Sequence, residues 1–248
     1  MKSDLDSFSA DGFVLVRGFL PTSELVQLRG ELDSFLTTQL RTVPDCEIYY
    51  EDVDVPQSLK QVQQLGQHSQ FFYDLQHSGR FRELAAMLLA GPVVPKNLQY
   101  FNKPPQIGRA TPPHQDGFYF MLQPCEAVTM WFALDDADEE NGCVRYVRGS
   151  HKRGLRNHTR TDTLGFSQGI ADYPTADDTA NDVAVHAEAG DLLVHHALTI
   201  HRADGNPSQR HRRALGFVYY SADTKEDTVA HAAYQARLAS DLRDEGRI

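Results

Sequence analysis

Between residues 93 and 221 the chain is divided into short runs rich in valine, tyrosine, phenylalanine and tryptophan, each bounded by turn residues. Runs of this composition and length are typical of β-strands. The predicted strands are 97–103, 116–122, 126–134, 143–148, 183–187, 190–197 and 213–221. So many short strands in succession favour a jelly roll or a barrel.

The chain on either side of this region has the apolar spacing of helices. A helix is predicted from residue 21, with Thr22 or Ser23 as its N-cap, because apolar residues recur every three or four positions. These residues are Leu25, Leu28, Leu32, Phe35 and Leu36. A second helical stretch covers 69–90 and is followed by Gly91-Pro92, a stop signal. A weaker helical pattern begins near residue 225.

We therefore expect a single domain over 1–248, α+β but mainly β, with helices packed outside the sheets. Its helical N-terminal part covers about 1–92, its jelly-roll core about 93–221 and its helical tail about 225–248. The connection 151–182 is polar and long for such a domain. Connections of this size often cover an active site.

Composition excludes several classes of function. The net charge of −10 argues against polyanionic partners such as nucleic acid. No apolar run approaches the roughly 18 residues of a membrane span, and the N-terminus MKSDLDSFSADG lacks the apolar core of a signal peptide. Cys46, Cys125 and Cys143 are odd in number and have no CxxC spacing, which is typical of reduced thiols in a cytoplasm. We expect a cytoplasmic protein that acts on a small molecule, of unknown oligomeric state.

The stretch PPHQDGFYF, residues 112–120, has a histidine and an aspartate two positions apart. Because side chains alternate along a strand, His114 and Asp116 are expected to face the same way and to offer two ligands to a divalent metal. A facial triad needs one more histidine, and GDLLVHHALTIHRADGN offers three candidates. His201 stands at a strand end just before a turn. His195 and His196 lie mid-strand, where either could be a packed core histidine or a support for a ligand.

A buried arginine is predicted at the start of the strand in NPSQRHRRALGFVYY. A guanidinium that enters a barrel interior is unfavourable unless it meets an anion, and its planar fork matches a carboxylate. Arg212 is the candidate, with Arg213 on the opposite face of the strand. The alternative is a rim arginine, since Arg210, Arg212 and Arg213 cluster there.

Three sequence blocks resemble one known family. PPHQDGFYF, VTMWFALDDADEENGCVRYVRGSHKRG and GDLLVHHALTIHRADGNPSQRHRRAL are similar to the phytanoyl-CoA dioxygenase family of iron(II)/2-oxoglutarate oxygenases, over roughly residues 10–221. The resemblance implies a double-stranded β-helix (jelly roll, cupin-like), with His114, Asp116 and His201 as iron ligands. It implies that Arg212 holds the distal carboxylate of 2-oxoglutarate.

The same resemblance implies a co-substrate pocket and a reaction. Gln99 and Trp131 are expected to line the pocket, and Thr129, on the face of Trp131, to donate a hydrogen bond there. The implied reaction consumes 2-oxoglutarate and dioxygen, releases succinate and CO2, and hydroxylates an aliphatic C–H bond. Asp116 favours hydroxylation over halogenation, because related halogenases have a small residue in place of this carboxylate.

The chain departs from the family pattern at two positions. Ala203 stands where many members have a serine that contacts the co-substrate, and Gln61 stands where some have a lysine. Lys103, in NKPP, is predicted to have a structural or rim role. The family name does not fix the substrate. Candidate substrate-pocket residues are Tyr49, Tyr50, Gln61, Gln63, Tyr100, Phe118 and Tyr119, a mixture that hints at a compact polar molecule such as an amino-acid derivative, an osmolyte or a phosphonate.

Two other interpretations remain open. The chain could be a cupin-like metal enzyme that does not use 2-oxoglutarate, such as an isomerase, or a non-catalytic jelly-roll binding module. Arg212 argues against the first, and an intact triad argues against the second. The remaining polar candidates are predicted to lie on the surface: the histidines His151, His158 and His186, and the turn with Asp135, Asp136, Glu139 and Glu140.

Overall fold

A computed structural model of the chain describes residues 2–163, 165 and 167–244. Its strands are β1 Phe13–Val16, β2 Ile48–Tyr50, β3 Leu59–Val62, β4 Val93–Lys103, β5 Thr111–His114, β6 Leu122–Gln123, β7 Ala127–Ala133, β8 Val144–Val147, β9 His158–Arg160, β10 Gln168–Ile170, β11 Asp182–Val185, β12 Leu192–His196, β13 His201–Ala203, β14 Arg212–Ser221 and β15 Lys225–Glu226. Its α-helices are α1 Lys2–Asp11, α2 Thr22–Thr38, α3 Leu65–His68, α4 Gln70–His77, α5 Gly79–Leu88, α6 Gly117–Phe120, α7 Ala176–Asn181 and α8 Thr228–Asp244.

Two antiparallel sheets form the body of the fold. The large sheet has the strand order β1-β12-β7-β14-β4-β3-β2, and the small sheet has the order β11-β8-β13-β5. Short pairs β9–β10 and β6–β15 lie beside them. The arrangement is a double-stranded β-helix with helices outside, which confirms the predicted fold class.

The outer face of the large sheet is covered by α2, α4 and α5. The spacing of Leu28, Leu32 and Phe35 turns one face of α2 toward the sheet, and all three are buried, as predicted. On α5, the Phe81 ring stacks on Phe217 of β14 with ring centroids 4.0 Å apart. A second apolar cluster includes Trp131, Ala133, Leu193 and Ala214 of the large sheet and Val144 and Tyr146 of the small sheet. The interior between the sheets is therefore partly packed, and the rest is open for a site.

The sheet core begins earlier than the sequence indicated. Three strands in the predicted helical part, β1, β2 and β3, belong to the large sheet. Each has only three or four residues, so alternation had too few positions to distinguish it from helical spacing. The helix α2 begins at Thr22 with Pro21 at the cap position, so the N-cap prediction of Thr22 or Ser23 was wrong. Within the predicted helical tail, residues Thr228–Asp244 form α8, and residues 245–248 lie outside the described residues.

The predicted strand 116–122 was also wrong. The strand in this region is β5, which ends at His114, and the chain then turns into the short helix α6. β5 contains two prolines, Pro112 and Pro113. It was not predicted as a strand because proline cannot donate a backbone hydrogen bond to a neighbouring strand. The strand tolerates them because β5 is an edge strand of the small sheet. Within the described part of the chain, no helix combines the length and apolarity needed to cross a bilayer.

Candidate metal and co-substrate site

Three predicted ligands converge at one end of the space between the sheets. His114 ends β5, His201 begins β13, and the two are paired across the small sheet, with ring centroids 4.1 Å apart. Asp116 lies at the start of α6. One ligand atom from each residue lies within 4.8 Å of the other two. The Nε2 atoms of His114 and His201 are 3.5 and 3.7 Å from the same oxygen, Asp116 Oδ1.

Backbone carbonyls fix both imidazoles in the orientation that a metal requires. His114 Nδ1 donates to the carbonyl oxygen of Pro112 at 2.8 Å, and His201 Nδ1 donates to that of Thr199 at 3.0 Å. With the proton on Nδ1, the Nε2 lone pair of each ring is directed toward Asp116. Burial, followed by the nearby His114 and His195, holds the pKa of His201 well below its usual value. His201 is therefore neutral at neutral pH, the form that binds metal.

The carboxylate is brought to the histidines by a turn that Gln115 stabilises. Gln115 is completely buried, and its Nε2 donates to the carbonyl oxygens of Gly154 and Leu198 at 2.9 and 2.7 Å. Its Oε1 accepts from the backbone of Arg156 at 2.8 Å. His114 and Asp116 thus converge, but strand alternation is not the reason. Burial alone would raise the pKa of Asp116, yet His201, His114 and His195 hold it well below its usual value, so it is ionised.

Arg212 is buried and incompletely satisfied. Its Nη1 donates to the carbonyl oxygen of Gly142 at 3.0 Å, while its buried Nε has no hydrogen-bond partner among the described residues. Burial lowers the pKa of Arg212 to about 10, so the guanidinium keeps its charge at neutral pH. Arg213 lies on the opposite face, where it pairs with Asp135 at 2.9 Å. The predicted phase of β14 is confirmed.

A cavity of about 410 Å³ contains both the triad and Arg212. Seven other predicted pocket residues line it: Tyr49, Gln61, Gln63, Gln99, Tyr119, Thr129 and Trp131. Tyr100 does not, because β4 alternates and turns this side chain into the outer core beneath the helices. Phe118 is also outside the lining, since its ring stacks on His158 with centroids 4.5 Å apart. Tyr50 is likewise absent from the lining.

The positions where the chain departs from the family pattern lie along this cavity. Gln61 Nε2 donates to Gln99 Oε1 at 2.7 Å, and Ala203 is part of the lining. Lys103 is not on the rim: it is buried beside Arg212, its register partner on β14. Its Nζ donates to the Arg109 carbonyl oxygen and to Thr111 Oγ1. These hydrogen bonds agree with the structural role, one of the two roles predicted for Lys103.

Thr129 and His195 both contact the carboxylate of Asp116 through the same oxygen, Oδ2. Thr129 Oγ1 donates to Asp116 Oδ2 at 2.5 Å, so this hydroxyl is engaged by a predicted ligand rather than directed at the co-substrate. His195 Nε2 lies 3.1 Å from the same oxygen, so this histidine also contacts a predicted ligand. His196 faces the other way and contacts Glu126 at 3.4 Å. Because side chains alternate along a strand, the sequence predicts that His195 and His196 face opposite ways. It does not indicate which of the two faces the cavity.

The polar candidates assigned to the surface divide into two groups. His186 is exposed, as predicted. His158 is partly buried, and its Nε2 accepts from the Gln115 backbone at 3.1 Å, while His151 Nδ1 is buried, so the surface prediction was wrong for these two. In the acidic turn, Asp136, Glu139 and Glu140 are exposed and Asp135 pairs with Arg213.

The cavity mouth is covered from two sides. Gly165 and Ser167, in the long connection predicted to be a cover, line the cavity, as do Tyr234 and Leu238 of α8. Tyr234 Oη and Ser167 Oγ are 2.7 Å apart, which joins the two covering segments. Residues 164 and 166 lie outside the described residues. The sequence did not predict that α8 lines the cavity, because its weak apolar pattern does not indicate where the helix packs.

Comparison with known proteins identifies the family. The family model for phytanoyl-CoA dioxygenase matches residues 8–214. The chain belongs to the phytanoyl-CoA dioxygenase family. A phytanoyl-CoA dioxygenase from Arabidopsis thaliana is 27% identical over an alignment of 254 positions, which covers 88% of this chain and 88% of the relative.

Two solved structures share the fold of this phytanoyl-CoA dioxygenase family member. The epimerase SnoN, in complex with Fe3+, alpha ketoglutarate and nogalamycin RO, is 25% identical with a TM-score of 0.73, over 91% of this chain and 85% of that one. The carbocyclase SnoK, a non-heme alpha ketoglutarate dependent enzyme from nogalamycin biosynthesis, is 27% identical with the same TM-score, over 91% and 86%. The chain is an enzyme of the non-haem iron(II), 2-oxoglutarate-dependent dioxygenase class.

Proposed function

We propose that His114, Asp116 and His201 hold the iron and that Arg212 binds the distal carboxylate of 2-oxoglutarate. Two neutral imidazoles and one carboxylate with open positions are the ligand set of non-haem iron(II) oxygenases. When bound, iron and 2-oxoglutarate use dioxygen to supply an oxidant, with release of succinate and CO2. The remaining chemistry belongs to the protein: it orients the ligands, binds both organic molecules and keeps water away.

The observation that supports this proposal is the incomplete hydrogen bonding of the buried Arg212 side chain. A charged guanidinium lies in the cavity wall, where the described residues give it one carbonyl partner and leave its Nε unsatisfied. Burying a cation in this way is unfavourable unless an anion completes its hydrogen bonds. A carboxylate is the anion that fits the planar guanidinium fork. The fit supports 2-oxoglutarate use over a cupin-like enzyme without it.

We further propose that the enzyme hydroxylates an aliphatic C–H bond of a small polar molecule. The cavity, at about 410 Å³, is at the small end of the roughly 300–1,000 Å³ typical of ligand sites, and the co-substrate takes part of it. Side-chain amides of Gln61, Gln63, Asn97 and Gln99 line one wall, and these groups recognise hydroxyl or amide functions.

The charges at the mouth argue against an acyl-CoA substrate. Lys96 Nζ is 2.7 Å from Glu226 Oε2, and His231 Nδ1 is 3.0 Å from Glu226 Oε1. A coenzyme A moiety carries several phosphate charges, whereas the lysine here is already neutralised by a carboxylate. The family name therefore does not transfer to the substrate.

Metal and co-substrate binding test the assignment of the site. Wild-type protein with Fe(II) and 2-oxoglutarate, kept anaerobic, should give a weak visible charge-transfer band. His201→Ala should abolish the band, and His196→Ala, on the opposite face, should leave it intact. A band that survives in His201→Ala would remove His201 from the ligand set.

A substrate screen tests the reaction type. Small polar molecules and an acyl-CoA are incubated with enzyme, Fe(II), ascorbate and 2-oxoglutarate, and products are read by mass spectrometry together with succinate. Hydroxylation adds one oxygen, ring closure removes two hydrogens, and epimerisation leaves the mass unchanged. Succinate release with an acyl-CoA but with none of the small molecules would contradict the proposed substrate class.

A further inference from the structure

The two oxygens of Asp116 have different surroundings. Oδ1 faces the Nε2 atoms of His114 and His201, at 3.5 and 3.7 Å. Oδ2 instead receives hydrogen bonds from Thr129 Oγ1 at 2.5 Å and from His195 Nε2 at 3.1 Å. One carboxylate oxygen is therefore available to the metal, and the other is engaged by the protein.

The donors to Oδ2 belong to a chain of hydrogen bonds that joins the two sheets. Thr129 on β7 and His195 on β12 are register partners on adjacent strands, so their side chains reach Asp116 together. Tyr146, on β8 of the small sheet, lies with its hydroxyl 3.0 Å from His195 Nδ1. Tyr146 is completely buried and its ring stacks on Phe13, with centroids 4.4 Å apart.

The hydrogen bond from His195 to Asp116 has one direction. The form of Asp116 that binds a metal is the carboxylate, whose oxygens only accept, so His195 Nε2 donates to Oδ2. The Tyr146 hydroxyl is hydrogen-bonded to the other ring nitrogen, Nδ1. Both nitrogens of His195 are engaged, so this histidine is a support for the carboxylate and not a fourth ligand.

We infer that Thr129, His195 and Tyr146 are positioning residues that hold Asp116 as a one-oxygen ligand. The inference rests on the proposed metal site. A carboxylate that turned and gave both oxygens to the metal would occupy a position that 2-oxoglutarate or dioxygen needs. With Oδ2 held by two buried donors, Asp116 presents Oδ1 alone. Supporting hydrogen bonds of this kind are typically worth 10–100-fold in metal affinity.

The valine and serine variants of Thr129 provide a matched test. Thr129→Val keeps the shape of the side chain and removes the donor, whereas Thr129→Ser keeps the hydroxyl. Metal-free protein is titrated with Co(II), with binding followed by Trp131 fluorescence and by the visible Co(II) spectrum. Thr129→Val should bind Co(II) about 10–100-fold more weakly with an altered spectrum, and Thr129→Ser should stay within about twofold of wild type.

Two further variants test the rest of the chain. His195→Phe removes the second donor and should weaken Co(II) binding about as much as Thr129→Val. Tyr146→Phe removes only the hydroxyl that orients His195, so its effect should be in the same direction and smaller. Thermal unfolding of the metal-free variants separates lost support of Asp116 from general loss of folding. If His195→Phe does not fold, the valine and serine pair at Thr129 decides.

The outcomes separate this inference from the proposed function. If wild-type protein binds Co(II) and Thr129→Val binds it with equal affinity and an unchanged spectrum, the inference is overturned while the metal site stands. If wild-type protein binds no Co(II), the proposed metal site itself fails and the inference fails with it. Weaker binding in Thr129→Val with recovery in Thr129→Ser supports the positioning role.

Discussion

The Arg212 guanidinium lies 5.1 Å from the centre of the Trp131 ring, and Trp131 is the only tryptophan of the chain. A cation above an indole face attracts the ring electrostatically. An anion that binds Arg212 changes the field at the indole, so the intrinsic fluorescence of the protein reports on the Arg212 end of the cavity.

Arg212→Ala should weaken 2-oxoglutarate binding much more than metal binding. Losing one partner of a buried, hydrogen-bonded charge pair costs about 3–5 kcal/mol, equivalent to a loss of at least about 100-fold in affinity. The matched control is Arg213→Ala, which removes a surface-side pair with Asp135 on the opposite face of β14. Calorimetric titration with 2-oxoglutarate in the presence of Mn(II) measures both. Equal losses in the two variants would contradict the orientation of Arg212.

Ala203→Ser should strengthen 2-oxoglutarate binding. Ala203 lines the cavity at the position where many family members have a co-substrate-binding serine. One added neutral hydrogen bond is worth about 0.5–1.5 kcal/mol, or roughly a 2- to 10-fold gain in affinity. Fluorescence titration of Trp131 measures it, with Ala203→Val as a control that adds bulk without a donor. A serine variant no better than the valine variant would mean that this wall does not meet the co-substrate.

The site could be predicted from sequence where chemistry restricts the residue type. His114, Asp116 and Arg212 were predicted because few side chains bind iron or grip a carboxylate, whereas the third ligand stayed open among three histidines until the family resemblance implied His201. The cavity contains His114, Asp116, His201 and Arg212. The path of the chain between them could not be predicted. Gln115 forms the turn through contacts with residues some 40 and 80 positions away, and such contacts have no local sequence signal.

The substrate pocket shows where local reasoning fails. Neighbouring residues on a strand face opposite sides of the sheet, so Gln99 and Tyr100 cannot both line the cavity. Tyr100 lies in the outer core. Phe118 was expected on a strand but lies on α6, where its ring stacks on His158. Thr129 was assigned to the correct face, but its partner depends on where Asp116 lies across the cavity. The side of the sheet on which a side chain lies follows from sequence periodicity, whereas the residues that it contacts depend on the tertiary structure.

Asp182→Asn should destabilise the small sheet that carries His201, in a pH-dependent way. Asp182 accepts hydrogen bonds from Arg145 Nε at 2.6 Å, Arg202 Nε at 2.9 Å and Tyr173 Oη at 3.0 Å. Burial alone would raise the pKa of Asp182, but Arg145, Arg202 and Tyr173 lower it below its usual value. The loss near pH 7 should be about 1–2 kcal/mol, since water reaches and screens both arginines.

The sign of the pH effect follows from the lowered pKa. A carboxyl with a depressed pKa in the folded state contributes its stability above its unfolded pKa, near 3.9, and loses it as the pH falls through the folded value. The difference in unfolding free energy between wild type and Asp182→Asn should therefore be constant from pH 7 to about pH 5 and shrink below about pH 4. Urea unfolding at several pH values measures it. A difference that grows with acid would contradict the ion-pair origin.

Changes to Asp116 itself test whether its carboxylate is a ligand at a fixed distance. Asp116→Ala leaves two imidazoles, so metal affinity and 2-oxoglutarate turnover should both fall sharply. Asp116→Glu keeps the charge but lengthens the side chain, and metal sites tolerate only about 0.2 Å in ligand distance, so activity should be partial at most. The glutamate must also reach Thr129 and His195, whose spacing to Oδ2 suits an aspartate. The measurement is the rate of succinate formation from 2-oxoglutarate in wild type, Asp116→Ala and Asp116→Glu, beside Co(II) affinity for each. Wild-type rates and affinities in all three proteins would mean that Asp116 does not bind the metal, because removing a true ligand and lengthening it cannot both be without effect.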